Sequence, residues 1–161
     1  MTAAEKAHVL LAGNPNSGKT SIFNALTGAR QRVGNYPGVT VEKRLGQLRI
    51  NGQAFNVTDL PGTYSLTSYS PEERIAQREL LNGNGNVVVV VVDSTTLKRS
   101  MLLLTQIMQT GANAVLCLNM ADEARSAGQR LDLEQLSTLL GLPVVETIAH
   151  KGEGIDRLKE A

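Results

Sequence analysis

The sequence is short of several things, and each shortage excludes a class of protein. It has one cysteine, Cys117, so no internal disulfide can form, which suits a reducing compartment. Cys117 lies inside the apolar run Ala114–Leu118 and reads as an inert buried thiol. Tryptophan is absent, and three tyrosines and two phenylalanines leave little for stacking nucleic-acid bases. No sign of charge dominates: 16 Lys and Arg face 15 Asp and Glu, a net charge of +1. A basic footprint for nucleic acid is therefore missing, and no nucleic-acid partner is expected. The two histidines, His8 and His150, stand far from each other and from Cys117 in the sequence, so they make no ligand set and this segment is not expected to bind iron. No signal peptide is visible, and the longest aliphatic run, Val87–Val92, is far below the ~18 residues that mark a membrane-spanning helix.

What is present is concentrated early. Gly13-Asn14-Pro15-Asn16-Ser17-Gly18-Lys19-Thr20 fits the phosphate-binding pattern G-x-x-x-x-G-K-[ST]. His8–Ala12 before it reads as a buried strand. Ser21–Leu26 after it has helical spacing, with Ile22, Phe23 and Leu26 on one side. A glycine-rich turn between strand and helix lets consecutive N–H groups surround an anion, and the helix N-terminus adds its partial positive charge. Gly13 to Ser21 are thus the candidate phosphate cradle. Lys19 would reach the outer phosphates and the Thr20 hydroxyl would bind Mg²⁺.

At 161 residues the chain is one domain by size, residues 1–161. After the first helix, which stops near Gly28, a loop from Ala29 to Thr40 shows no period. Its length marks it as functional. Lys43–Ile50 and Gln53–Thr58 flank Asn51-Gly52, a strong hairpin signal. A second irregular stretch, Thr63–Ser70, precedes a helix opened by Pro71 with Ser70 as its cap. The valine run ending at Asp93 predicts a central strand buried on both faces. A helix over Leu97–Gln109, a strand over Asn113–Leu118 and a polar stretch, Ala121–Arg130, follow. Then come a helix over Leu133–Leu140 capped by Asp132, a short strand at Pro143-Val144-Val145 and a last helix from Gly154. The alternation predicts an α/β fold: six strands, mostly parallel with one antiparallel, wrapped by helices on both faces. Ligands bind at the carboxyl ends of such strands. The chain stops at Ala161 inside a helical pattern without a cap, as if cut from something longer.

Two further motifs follow strands. Asp59-x-x-Gly62 would hold Mg²⁺ through a water at Asp59 and bond the γ-phosphate through the Gly62 N–H. Asn119-Met120-Ala121-Asp122 matches the guanine-reading element of GTP-binding proteins. Asp122 would accept the N1 and N2 donors of guanine, a pair adenine lacks. Met120 stands where a lysine is usual, and its thioether can still cover the base.

Together the three motifs resemble a P-loop GTPase G domain. More narrowly, Arg30–Glu42, reading RQRVGNYPGVTVE, and Asp59–Leu66, reading DLPGTYSL, resemble the cytosolic G domain of FeoB, the bacterial ferrous iron transporter. The resemblance implies GTP and GDP as ligands and Mg²⁺ bound by Thr20, Thr40 and Asp59. It also implies Gly38, Val39 and Thr40 as the cover over the γ-phosphate, with Asp59, Leu60, Pro61 and Gly62 beside it. Ala149 and His150 would sit in the guanine-contacting turn, where the Ala149 N–H would meet the base O6. Lys19, Thr40, Gly62 and Asn16 would carry hydrolysis. Asn16 is the candidate ligand for an activating K⁺, or else braces the loop by hydrogen bonding. A helical subdomain and a membrane portion would follow Ala161, placing this segment at the cytoplasmic face of the bacterial inner membrane as a GTPase that gates Fe²⁺ uptake.

The sequence departs from this pattern at Ile148, where the family carries serine. Without a hydroxyl the turn is expected to open often and release GDP quickly, unless Ile148 packs into the core and holds the turn that way. Thr63 is too short to orient water as a glutamine would, and Arg30 and Arg32 read as solvated loop charges, so slow hydrolysis is expected. Two rival readings are a ribosome-associated GTPase acting through RNA, against which the near-neutral charge counts, and a nucleotide sensor whose turnover is immaterial.

Overall fold

The structure, a computed structural model, describes residues 6–28, 31–82, 85 and 87–161. Its elements are β1 (Ala7–Gly13), α1 (Lys19–Thr27), β2 (Gln31–Asn35), β3 (Glu42–Ile50), β4 (Gln53–Asp59), α2 (Pro71–Leu81) and β5 (Val87–Asp93). They continue with α3 (Leu97–Gln109), β6 (Ala114–Asn119), α4 (Ala121–Ser126), α5 (Leu133–Leu140), β7 (Val144–Glu146) and α6 (Ile155–Glu160). Single 3₁₀ turns lie at Ser94–Thr96 and Ala149–Lys151.

The strands form one sheet in the order β2-β3-β4-β1-β5-β6-β7. β4, β1, β5, β6 and β7 pair in parallel, while β3 runs antiparallel to both its neighbours. The mostly parallel α/β architecture with one reversed strand is as expected, but the strands number seven rather than six. The extra one is β2, inside the stretch read as an irregular loop. Its residues Arg32 to Asn35 are all exposed, so no apolar alternation could announce it; in the sheet it pairs with β3, Val33 opposite Arg44, and its first residue, Gln31, donates to Asn24 Oδ1 of α1 at 2.8 Å. The polar stretch after β6 likewise contains a helix, α4, too short for a period and buried only at Ala121 and Ala124.

Local chemistry sets the remaining boundaries. Asn51 and Gly52 take φ of 50° and 81°, as a tight hairpin turn requires. Ser70 accepts the Glu73 N–H at 3.1 Å to cap α2, and Asp132 accepts the Gln135 N–H at 3.0 Å to cap α5.

Two apolar layers flank the sheet. On one face Leu10, Val88, Val90, Leu116 and Leu118 pack with Ala76 and Leu80 of α2 and Leu103, Leu104 and Ile107 of α3. On the other, Val9, Leu11, Val57, Val89 and Cys117 meet Ile22, Phe23 and Leu26 of α1 and Ile155 and Leu158 of α6. Each such side chain contributes about 1.5–3 kcal/mol by leaving water. The valine strand serves both layers at once, because its alternate residues point to opposite faces. Its burial brings the carboxyl ends of β1, β4, β5 and β6 to one edge, and the three motifs lie there.

Candidate functional site

The phosphate loop runs from the end of β1 into α1. Gly13 is forced by close packing, since a Cβ there would lie 2.5 Å from the Val91 carbonyl oxygen. Asn16 and Gly18 take φ of 65° and 83°, the left-handed turn that curls N–H groups inward. A Cβ on Gly18 would also collide with the Asn119 side-chain amide. Pro15, Asn16, Thr20 and Ser21 are exposed, whereas Asn14, Ser17 and Lys19 are buried. The Asn14 amide donates to Ser100 Oγ of α3 at 3.2 Å, while Asn14 Oδ1 and Ser17 Oγ have no partner among the described residues.

Lys19 makes an ion pair with Asp59 and donates to the Leu60 carbonyl at 2.6 Å. The lysine and the acid predicted to serve phosphate and metal are therefore brought together. The Asp59–Gly62 stretch is stitched to the loop strand: the Leu60 N–H donates to the Leu11 carbonyl at 2.9 Å and the Thr63 N–H to the Gly13 carbonyl at 3.1 Å. Pro61 is half-buried, and Gly62 packs against the Pro15 backbone, where a Cβ would come within 3.2 Å. Beyond it the second irregular stretch is tied to α3. The Leu66 N–H donates to Gln106 Oε1 at 2.8 Å, and the Arg99 guanidinium lies 4.5 Å from the Tyr64 ring centre.

Asn119 joins the phosphate side to the base side. Its amide donates to the Ser17 carbonyl at 3.2 Å, while its Oδ1 accepts from Thr147 Oγ1 at 3.0 Å and from the Ala149 N–H at 3.1 Å. Met120 takes the left-handed conformation, φ 58° and ψ 37°, and turns the chain into α4. Asp122 then sits in the first turn of that helix. Its Oδ1 is buried without a partner, and its Oδ2 lies 3.7 Å from Lys151 Nζ and 3.9 Å from the exposed His150. A buried, unsatisfied carboxylate oxygen is costly alone and fits a ligand that brings N–H donors.

The Ala149 N–H, expected to meet the base O6, is directed at Asn119 Oδ1 at 3.1 Å in this structure. Ile148 is 5% exposed, and its backbone exchanges two hydrogen bonds with Glu153, at 3.0 and 3.2 Å. That is the packed arrangement of the two considered for this turn. Gly38, Val39 and Thr40 are exposed, and no hydrogen bond ties them to the phosphate loop among the described residues. Thr20 and Asp59 supply the two hard oxygens that suit Mg²⁺, an ion that keeps waters and phosphate oxygens as its other ligands. Arg32 is exposed on β2, and Arg30 lies outside the described residues.

Three residues had no signal in the sequence. Ser94 Oγ donates to the Asn119 carbonyl at 2.6 Å, Thr147 holds the Asn119 side chain, and Ser100 holds Asn14. Each acts across a long sequence separation. Cys117 is buried as expected, its thiol pushed up to about 11 by burial, against a hydrogen bond to Thr147.

A phosphate loop at the first strand, an acid paired with its lysine, and a base-side asparagine and aspartate at the switch edge of a parallel sheet define a G-domain fold. Comparison with known proteins agrees. The family model described as ferrous iron transport protein B matches residues 7–161, and the chain belongs to that family, FeoB. It is 45% identical to the Fe(2+) transporter FeoB of Salmonella typhimurium and 43% identical to that of Escherichia coli K12. Each alignment covers 98% of this chain but 21% of the relative's length, so the chain spans about a fifth of those transporters. It superposes on the G domain of the T. maritima FeoB transporter with a TM-score of 0.90 at 45% identity, over 96% of this chain and 95% of that one. The cytosolic domain of T. maritima FeoB in its GMPPNP form matches with a TM-score of 0.92 at 46% identity, over 96% of this chain and 61% of that one. An S. thermophilus NFeoB mutant bound to GDP matches with a TM-score of 0.91 at 44% identity, over 96% and 60%.

Proposed function

We propose that this chain is a guanine-nucleotide switch that binds GTP and GDP with Mg²⁺, hydrolyses GTP slowly, and gates Fe²⁺ uptake by the membrane portion of a longer protein. The observation that carries it is Asn119: one side chain fixes the phosphate loop through Ser17 and the base-side turn through Thr147 and Ala149. Beside it the unpaired Asp122 Oδ1 offers an acceptor where guanine presents N1–H and N2–H. The relatives with GDP or GMPPNP in their structures support the ligand class.

In this reading Lys19 exchanges its Asp59 partner for the outer phosphates. Thr20 and, through a water, Asp59 would hold Mg²⁺, which would neutralise charge on the phosphates, and the Gly62 N–H would meet the γ-phosphate. Thr40 must travel from its exposed position to complete the metal site. With Thr63 in place of a water-orienting amide, turnover is slow. Asn16, whose amide is exposed and makes no hydrogen bond to a described residue, would hold a K⁺ ion that supplies positive charge between the phosphates. A helical subdomain and a membrane domain follow in the whole protein, with this segment on the cytoplasmic side of the inner membrane. No helix among the described residues is long and apolar enough to cross a membrane.

Nucleotide titration tests the reading. GTP and GDP should bind far more tightly than ATP, and Asp122→Asn should move the preference toward xanthine nucleotides, because a donor then faces a C2 carbonyl. Equal affinity of the parent for ATP would overturn the guanine assignment.

A further inference from the structure

The stretch from Arg32 to Thr40, which carries the Thr40 turn and is the first switch in the reading above, is exposed at every residue but one. Tyr36 is 1% exposed and heads the largest fully buried side chains of the molecule. Lys43 of β3 places its ammonium 5.1 Å from the ring centre. The ring's hydroxyl makes no hydrogen bond to a described residue. Burial first, then the Glu79 and Asp59 carboxylates, push that hydroxyl well above the usual tyrosine range, with Arg78 opposing. The proton therefore stays on, and the buried ring carries a neutral phenol with no acceptor among the described residues.

Tyr36 is also the root of the turn that carries Thr40. Its N–H donates to the Val41 carbonyl at 2.9 Å, and its carbonyl accepts the Val39 N–H at 3.3 Å. Pro37, Gly38, Val39 and Thr40 thus form a closed loop standing on one buried ring. We propose that Tyr36 is the positioning residue of the first switch. Its docked ring holds the Gly38–Thr40 turn away from the phosphate loop, so a ligand that draws Thr40 inward works against that docking. The proposal rests on the nucleotide-switch reading above and adds to it the element that sets the cost of closing.

The unpaired hydroxyl gives the proposal its signature. Burying a phenol oxygen without a partner weakens the docking, so removing the oxygen strengthens it, while removing the ring abolishes it. Tyr36→Phe and Tyr36→Ala therefore act in opposite directions, which a residue that merely fills space would not show. GDP lacks the γ-phosphate that would recruit Thr40, so its affinity serves as the internal reference.

The test uses the domain itself, which superposes end to end on a relative solved as an isolated G domain. Without nucleotide, hydrogen exchange at the residue-36 and Val39 amides should slow by about fivefold in Tyr36→Phe and quicken in Tyr36→Ala. The affinity for a β,γ-imido GTP analogue, divided by that for GDP, should fall by about fivefold in the first and rise in the second. Tyr36→Leu carries the release arm if the alanine variant does not fold. Shifts of the ratio in the same direction, or unchanged exchange in both variants, overturn the proposal. A parent that binds no guanine nucleotide overturns the switch reading instead, and the order of exchange rates still decides whether the ring is the anchor.

Discussion

At the scale of single residues, the site depends on side chains whose partners lie far along the chain. Asn119 reaches back 102 positions to Ser17 and forward 28 and 30 to Thr147 and Ala149. The motif made Asn119 a candidate, yet nothing local named its partners, because proximity across a sheet leaves no sequence period. Asn16 is the contrasting case, exposed, left-handed at φ 65° and without a hydrogen bond to a described residue. In the reading proposed above, that amide is the ligand of the activating ion. GTP hydrolysis should therefore be faster in KCl than in NaCl at equal ionic strength, and Asn16→Ala should remove the difference. Identical initial rates in the two salts for the parent would discard the ion.

Among elements, the turn after β7 shows how packing can replace a hydrogen bond. The missing serine hydroxyl suggested a loose turn. In the structure Ile148 is buried, doubly bridged to Glu153, and followed by an N–H fixed on Asn119. Ile148→Ser should therefore not slow GDP release in a stopped-flow chase. It should instead lower stability by roughly 2–5 kcal/mol in urea denaturation, the range for emptying a buried aliphatic site. Release slowed several-fold by the serine would show that the turn had been mobile after all. The strand β2 is the opposite lesson: it is held by backbone pairing to β3 and by the Gln31 amide on α1, with the side chains from Arg32 to Asn35 exposed, and hydrophobic spacing could not reveal it.

For the whole molecule, the sheet is what couples these parts. The loops after β1, β4, β6 and β7 meet because the strands beneath them are parallel and in register, β1 against both β4 and β5, and β6 against β5 and β7. A ligand that bridges them all binds the folded state only. GDP at a hundredfold excess over its Kd should stabilise the domain by ~2.7 kcal/mol, a rise of about 5–10 °C in Tm for a chain this size, while ATP at the same concentration should leave Tm unchanged. A GDP shift no larger than that of ATP would show that phosphate contacts alone carry the binding.

The sequence by itself determined the phosphate loop, the Asp59 and Asn119 motifs, the hairpin at Asn51-Gly52, the caps at Ser70 and Asp132, and the buried valine strand. These are set by residues within a few positions of one another, where backbone geometry, capping and hydrophobic period act. Tertiary structure alone decided the seventh strand, the Lys19–Asp59 pairing, the hold of Asn119 on both halves of the site, and the burial of Tyr36 and Ile148. Each of those joins groups that only the closed sheet brings within hydrogen-bond or van der Waals distance, and such contacts fall off too steeply with separation to be read from order along the chain.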